Sequence, residues 1–279
     1  MTFDVSHHEV REAVRRALEE DIGDGDITSR YTVASDRLAS GTFFAREDMV
    51  LAGTELLAVI YERRGSVDEL VIQKPSGSPV VTGDRIATVH GNARTLLECE
   101  RVALNFMQRL SGVATLARRY VDAVAGTKCK ILDTRKTTPG LRRLEKMAAA
   151  AGGVTNHRLG LFDAILIKNN HITAAGGVAP ALHTAKAAGV PVEIEVRTRA
   201  ELDEALENGA TRLLLDNLTP AEAGEWIRHI DGRASVELSG GITLETVRAY
   251  AEAGADFVSV GAITHSAPAV DINFRLQWQ

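Results

Sequence analysis

Cysteine is scarce in this chain: only Cys99 and Cys129 occur in 279 residues. They form no CxxC pair, and no histidines stand at finger spacing, so neither a disulfide framework nor a structural zinc site is expected. Long apolar runs are missing as well, since none approaches the roughly 18 residues of a membrane helix. The opening MTFDVSHHEVREAV has acids near its head and no apolar stretch before a small-residue cleavage site, so no secretory signal is read there. A reducing, cytoplasmic setting is the expectation. Excess positive charge is also lacking. The net charge of −5 argues against a nucleic acid or an anionic membrane as partner. No GxGxxG follows a first strand, which weakens a dinucleotide-binding reading. What remains, 45% hydrophobic and 25% charged, is a soluble globular composition. The length suits two ordinary domains, or one large α/β barrel with an appendage.

The first segment reads as a helix, with Val10, Ala13, Val14, Ala17 and Leu18 on one apolar face and Ser6 to Glu9 as a capping box. The turn-rich GDGDITS leads into short β-like runs, GTFFA, MVLAG, ELVIQK and RIATVH, which suggest a small α+β domain. A second capping box, Thr95 to Glu98, opens a long helical region through Leu97, Val102, Leu104, Met107 and Leu110. From about residue 128 the rhythm changes. Six runs rich in Ile, Val and Leu follow: CKILD, DAILIK, VEIEV, RLLLD, SVELS and FVSVG. Helical segments separate most of them. One has Thr198 and Glu201 as a capping box and Gly209 as its stop; another has Thr219 as cap, Pro220 first and Glu222 third. Strands alternating with helices imply parallel pairing, as an α/β barrel or an open doubly wound sheet, and the barrel is preferred.

In such barrels the working residues come from the C-terminal ends of the strands. Here those ends supply Arg135 and Lys136 after CKILD, Lys168 after DAILI, Glu195 in VEIEV and Asp216 closing RLLLD. Ser239, Gly240 and Gly241 follow SVEL, Gly261 and Ala262 follow FVSV, and His157 and Arg158 precede the second strand. The cations suit a ligand with more than one carboxylate, because guanidinium groups grip carboxylates with two prongs. Read alone, Arg135 or Arg158 is equally well a solvated loop residue. Glu195 and Asp216 suit magnesium bridged to phosphates, or positive charge developing on a sugar carbon. Alternatively Glu193 and Glu195 are interior strand residues paired with lysines. The two glycine-bearing turns suit a phosphate. Cys99 and Cys129 read as buried small hydrophobes.

The runs EDIGDGDITS, ERVALNFMQRLSGVAT, DTRKTTPGLR, NHRLGLFDAILIKNNH, EIEV, LLLDN, LSGGIT and VGAITHS resemble, in order over about residues 18 to 272, the quinolinate phosphoribosyltransferases of NAD biosynthesis. That resemblance implies an N-terminal α+β sandwich-like domain (1–108), an incomplete parallel α/β barrel (109–268) and a tail (269–279) returning to the first domain. It implies quinolinate and phosphoribosyl pyrophosphate as substrates, Mg2+ as cofactor, and a homodimer or hexamer of dimers. By position, Arg135, His157, Arg158 and Lys168 resemble quinolinate-binding residues, with Lys136 beside them. Arg101 resembles an arginine that reaches the neighbouring subunit's site. Glu195 and Asp216 match acids near the ribose and its metal-bound pyrophosphate, so Lys136, Lys168, Glu195 and Asp216 form the catalytic set. Ser239, Gly240, Gly261 and His265 fall in phosphate-binding turns. Asn169 and Arg197 depart from the usual acids, and KMAAAAGGVTNHR replaces a more polar approach. Three rivals stand beside this reading: a nicotinate-specific transferase, a Schiff-base aldolase using Lys168, and a non-catalytic phosphate-ligand sensor.

Overall fold

A computed structural model describes residues 3–65 and 67–278, and the chain divides into two compact units. Met1–Arg118, Thr137–Gly153 and Ile263–Gln279 form the first, and Arg119–Lys136 with Val154–Ala262 the second.

The chain begins with α1 (His8–Ile22), α2 (Ile27–Thr32), β1 (Leu38–Ala45), β2 (Met49–Val50) and α3 (Leu56–Arg63). Next come β3 (Glu69–Ile72), β4 (Pro79–Val80), β5 (Arg85–Asn92) and the long α4 (Ala93–Ala123). Helix α1 buries Val10, Val14, Leu18 and Ile22, the expected stripe continued by one turn. Its cap differs from expectation. Ser6 turns its amide and hydroxyl to Asp4, and His7 becomes the N-cap, its Nδ1 accepting the Glu9 amide at 3.2 Å. Thr95 does not open a helix either, because α4 starts two residues earlier and Asn92 accepts the Arg94 amide (3.0 Å). Glu98 accepts from Arg64 instead. Helix α3 escaped the periodicity reading because Leu56, Leu57, Val59, Ile60 and Tyr61 are all buried, leaving no polar face to reveal a period.

Strand β1 alternates, burying Ala39, Gly41, Phe43 and Ala45 on one side. It pairs antiparallel with β5 on one edge and β12 (Ile272–Trp278) on the other, and β3 completes the order β12-β1-β5-β3. Gly41 is glycine for a packing reason. A Cβ there would stand 2.1 Å from the ring of Phe274, which lies 4.7 Å from that of Phe43. Helix α5 (Arg142–Ala151) carries the fully buried Glu145. Its carboxylate accepts from Arg109 (2.8 and 3.2 Å) and from the amide and hydroxyl of Thr138 (3.0 and 2.7 Å). Arg109 in turn donates to the carbonyls of Ala267 (2.7 Å) and Thr264, so one buried ion pair ties α4, α5 and the C-terminal segment of this unit together.

In the second unit β6 (Lys130–Leu132), β7 (Ile165–Ile167), β8 (Val192–Val196), β9 (Arg212–Asp216), β10 (Ser235–Ser239) and β11 (Phe257–Ser259) are the six runs singled out above. They form one sheet in the order β6-β11-β10-β9-β8-β7, parallel throughout. Helices α6 (Asn169–Ala175), α7 (Val178–Lys186), α8 (Arg199–Glu207), α9 (Pro220–Ile230) and α10 (Val247–Glu252) fall between strands, and α11 (Ala262–His265) begins where this unit ends. Thr155 adds a single parallel bridge to Leu132 on the outer edge of β6. Among the described residues β6 and β7 do not pair, so this is an α/β barrel left open on one side. Thr219 and Glu222 form the full capping box at α9. At α8 only half of one forms: Thr198 accepts the Glu201 amide (3.1 Å), but Glu201 takes the Arg197 amide (2.8 Å) rather than that of Thr198.

Gly112 offers a test of the first unit's packing. A Cβ on it would lie 2.0 Å from the Pro268 carbonyl oxygen, a backbone atom that cannot swing aside. Gly112→Ala should destabilise the protein by about 1–3 kcal/mol through overpacking. Chemical denaturation giving an unchanged midpoint would show that α4 and the 268–269 segment are not in such close contact.

Candidate active site

Side chains on a strand alternate, and residues opposite each other in a ladder point to the same side. The register sets Leu214 opposite Glu195, Glu237 opposite Leu214, and Ser239 opposite Asp216. Glu193, Glu195, Arg212, Asp216, Glu237 and Ser239 therefore share one face of the sheet. Strands that are otherwise Ile, Val and Leu thus carry their polar residues with a single parity, and the barrel interior is where they meet.

The rim at the strand ends brings several expected residues together. Lys168, immediately after β7, places Nζ 3.1 Å from Glu195 Oε2, the acid being largely buried and the lysine half exposed. This is the structural lysine–acid pairing that the sequence left open. It also sets a cation beside a carboxylate at the rim. The backbone N–H of Lys168 donates to His171 Nδ1 (2.9 Å), fixing the start of α6. On the neighbouring strands Ser239 donates its hydroxyl to Asp216 Oδ1, and Asn217 donates its side-chain amide to Oδ2 (2.7 Å). The Asn217 amide also donates to the Ser239 carbonyl (2.9 Å). Gly240 stands here at φ +100°, and a Cβ on it would meet Asn217 Oδ1 at 2.2 Å, so this turn accepts glycine alone. Gly241 follows with φ +60°. Gly261 and Ala262 are half-buried after β11.

Arg135 and Lys136 are exposed beyond β6, with the Lys136 amide bonded to Thr134 Oγ1 (3.0 Å). Arg158 is half-buried and donates to the Ala164 carbonyl (3.0 Å). Burial lowers its pKa and the charge of Arg135 lowers it further, while the carboxylates of Asp163 and Glu193 act in the opposite direction. Arg101 and His265 belong to the first unit. Arg101 is exposed on α4 without an ion pair among the described residues: Glu98 is held by Arg64, and Glu100, whose pKa burial raises, only senses the Arg101 charge. His265 is exposed, its Nδ1 2.6 Å from Ser266 Oγ.

His157 sits deeper than the resemblance alone implies. Its amide donates to the fully buried Asp133 (2.8 Å), and its Nε2 lies 3.3 Å from Glu193 and 3.4 Å from Glu237. Burial disfavours an imidazolium, but hydrogen bonds to the two carboxylates more than offset this and raise the pKa to about 9. The Arg158 amide, 2.8 Å from Nδ1, works the other way, since a second ring proton would face an N–H. Two full charges outweigh one peptide dipole, and the upward direction stands. Arg212 bridges the same carboxylates at 2.9 Å each and lies 4.7 Å over the Phe257 ring. Sequence reasoning missed Arg212 and Glu237 and treated Glu193 only as a strand residue. The available signal was that the charged residues of three apolar strands all share one parity. A cavity of about 330 Å³ is lined by His157, Arg158 and the first residues of five strands, Lys130, Ile165, Val192, Arg212 and Phe257. It therefore opens at the strand starts, the end of the sheet opposite Asp216 and Ser239. Both cysteines are free and buried, and burial pushes each thiol up to about 12, which removes them as nucleophiles.

Comparison with known proteins agrees with the resemblance along the whole chain. Residues 26–111 match the quinolinate phosphoribosyl transferase N-terminal domain, and residues 113–275 match the C-terminal domain of the same family. The chain is 40% identical to the nicotinate-nucleotide pyrophosphorylase [carboxylating] of Mycobacterium leprae, covering 99% of this chain and all of that one. It is 40% identical to the probable enzyme of that name in Bacillus subtilis, covering 96% and 94%. The crystal structure of NadC from Streptococcus pyogenes superposes with a TM-score of 0.94 at 36% identity, covering both chains fully. The nicotinate-nucleotide pyrophosphorylase of Francisella tularensis gives 0.91 at 38% identity over 96% of each. With both domain models matched and relatives aligned end to end, the chain belongs to the quinolinate phosphoribosyl transferase family.

Proposed function

We propose that the protein transfers the phosphoribosyl group of phosphoribosyl pyrophosphate to quinolinate, yielding nicotinate mononucleotide, pyrophosphate and carbon dioxide in NAD biosynthesis. The observation that supports this reading is the gathering of Lys168, Glu195, Asp216 and Ser239 at the strand ends, beside a second pair of cations, Arg135 and Arg158, close enough to feel each other's charge. Arg135, Lys136, Arg158 and Lys168 grip the two carboxylates and aim the ring nitrogen at the anomeric carbon, the gain of proximity and orientation. The nitrogen–carbon bond forms as the bond from that carbon to pyrophosphate breaks. Glu195 and Asp216 face the positive charge that develops on the ribose, an electrostatic contribution in a site where they are already oriented. As carbon dioxide leaves, the electron pair of the bond to the adjacent carboxylate stays on the ring carbon, stabilised by the neighbouring cationic nitrogen, and a proton then takes the carboxylate's place. Ser239, Gly240, Gly241, Gly261, Ala262 and His265 are the groups for the phosphates.

Glu195 and Asp216 supply oxygen donors of one parity on adjacent strands, two carboxylates and not a closed cage. Such a pair fits magnesium, which keeps several waters and shares its remaining positions with substrate phosphates. Bound there, it would supply charge neutralisation for the pyrophosphate. The same reading makes the enzyme a cytoplasmic homodimer or hexamer of dimers, with Arg101 serving the neighbouring subunit's site. Lys168 spends its ammonium on Glu195, a geometry that suits a carboxylate-binding cation better than a Schiff-base nucleophile.

An assay of quinolinate, phosphoribosyl pyrophosphate and magnesium should release carbon dioxide and form nicotinate mononucleotide. Nicotinate lacks one carboxylate, and each charge-assisted contact is worth roughly 1.5–3 kcal/mol, so it should be disfavoured about tenfold to hundredfold in kcat/KM. Comparable turnover of nicotinate would overturn the substrate assignment.

Arg101→Ala and Lys168→Ala should each be nearly inactive as pure dimers. If Arg101 acts in trans, one site of a mixed dimer carries both defects and the other neither. Equal reassortment makes about half the dimers mixed, leaving roughly a quarter of all sites intact. Activity should recover to about a quarter of wild type on mixing; no recovery, with subunit exchange confirmed, returns Arg101 to a local role.

A further inference from the structure

We propose that Glu193, Glu237 and Arg212 are positioning residues, a platform inside the barrel that fixes the His157 ring and its positive charge for recognition of the substrate's carboxylates. The inference deepens the proposed activity and rests on it. Glu193 and Glu237 stand on β8 and β10, with Arg212 on the strand between, and all three share one face of the sheet. Arg212 spans the two acids at 2.9 Å each, so neither carboxylate can rotate away from Nε2 of His157 without losing a charge-assisted bond. The acids are 5% and 2% exposed, and an unpaired carboxylate at that depth would be costly. A third prop comes from β11, where Ser259 hydrogen-bonds Glu237. From β6 the buried Asp133 accepts the His157 amide and the Asn156 side chain (2.6 Å), which holds the loop while the platform holds the ring.

These donors also decide what the cluster is not. His157, Glu193 and Glu237 bring their ligand atoms within 4.8 Å of one another, as a metal site would. The guanidinium of Arg212 already fills the space between the acids and neutralises one of them, and the imidazolium neutralises the other. The set is balanced without a metal. His157 is faced by Asp133 through its backbone, by Glu193 and Glu237 through Nε2, and at Nδ1 by the backbone amide of Arg158. A neutral ring would leave one net negative charge in this interior set; the imidazolium cancels it, so that no unbalanced acid opposes a bound dicarboxylate.

The test compares wild type with Glu193→Gln/Glu237→Gln and with Arg212→Lys, all close in shape to the original. In wild type the ring stays charged until the pH passes about 9, so quinolinate affinity should hold through pH 8. Removing the two carboxylate charges should lower the His157 midpoint by about 2 pH units or more, read directly by nuclear magnetic resonance of the ring. At pH 8 the double variant should show quinolinate KM raised roughly tenfold, with much smaller changes near pH 5.5 and in the KM for phosphoribosyl pyrophosphate. Arg212→Lys keeps the charge but cannot bridge both acids, and should raise quinolinate KM at every pH. An unmoved ring midpoint in the double variant overturns the platform, as does an equal rise in both substrates' KM, which would mean general loosening. If no variant or wild type turns over quinolinate, the proposed activity fails while the ring titration still decides the platform.

Discussion

Charge buried inside a parallel barrel is the constraint on which the second unit depends. A β/α sheet of this kind packs its inner face with branched apolar residues, and each ionised side chain placed there forfeits hydration that only partners can replace. Here Glu193 and Glu237 are compensated by Arg212 and His157, and Glu195 by Lys168. Every one of these pairs joins side chains from different strands or from a strand and the loop beside it. The ion pairs therefore fix strand register as well as charge: a slip of one residue would turn all the acids to the opposite face, against the surrounding helices.

The interior then grades from one end to the other. Near the strand starts the charges are satisfied among themselves, and Arg212 lies over Phe257 as a lid of cation and ring. At the strand ends the pairings are sparser: Glu195 holds Lys168, and Asp216 accepts the Ser239 hydroxyl and the Asn217 side-chain amide.

The strands of this barrel were legible because each is a short, branched, apolar run with a polar terminus, and six of six such runs became strands. The rim residues were legible for the same reason, since a strand's end is visible as the point where hydrophobicity stops. The interior polar residues were not. Glu193, Arg212 and Glu237 mean something only once the register sets them side by side, and register is a pairing between distant segments that local pattern does not encode. Capping boxes failed where a third residue competed for one member: Asp4 took Ser6, Arg64 took Glu98, and the Arg197 amide took Glu201. The box at Thr219 formed fully, and there Pro220 presets the first turn.

The positions read above as departures from the resemblance can be weighed on the same physical terms. Asn169 opens α6 and caps its own neighbour, its Oδ1 accepting the Asn170 amide at 2.8 Å, while Lys168 beside it keeps Glu195. Arg197 is exposed and turns to Glu201 (3.0 Å), one turn along the same surface, so the charge it introduces is cancelled locally. In the KMAAAAGG segment the small residues serve close packing within the first unit. Ala148 and Ala149 are fully buried, and a Cβ on Gly152 would stand 2.3 Å from the Ala114 carbonyl oxygen. Each change is therefore absorbed by an interaction that involves none of Arg135, Arg158, Lys168, Glu195 and Asp216.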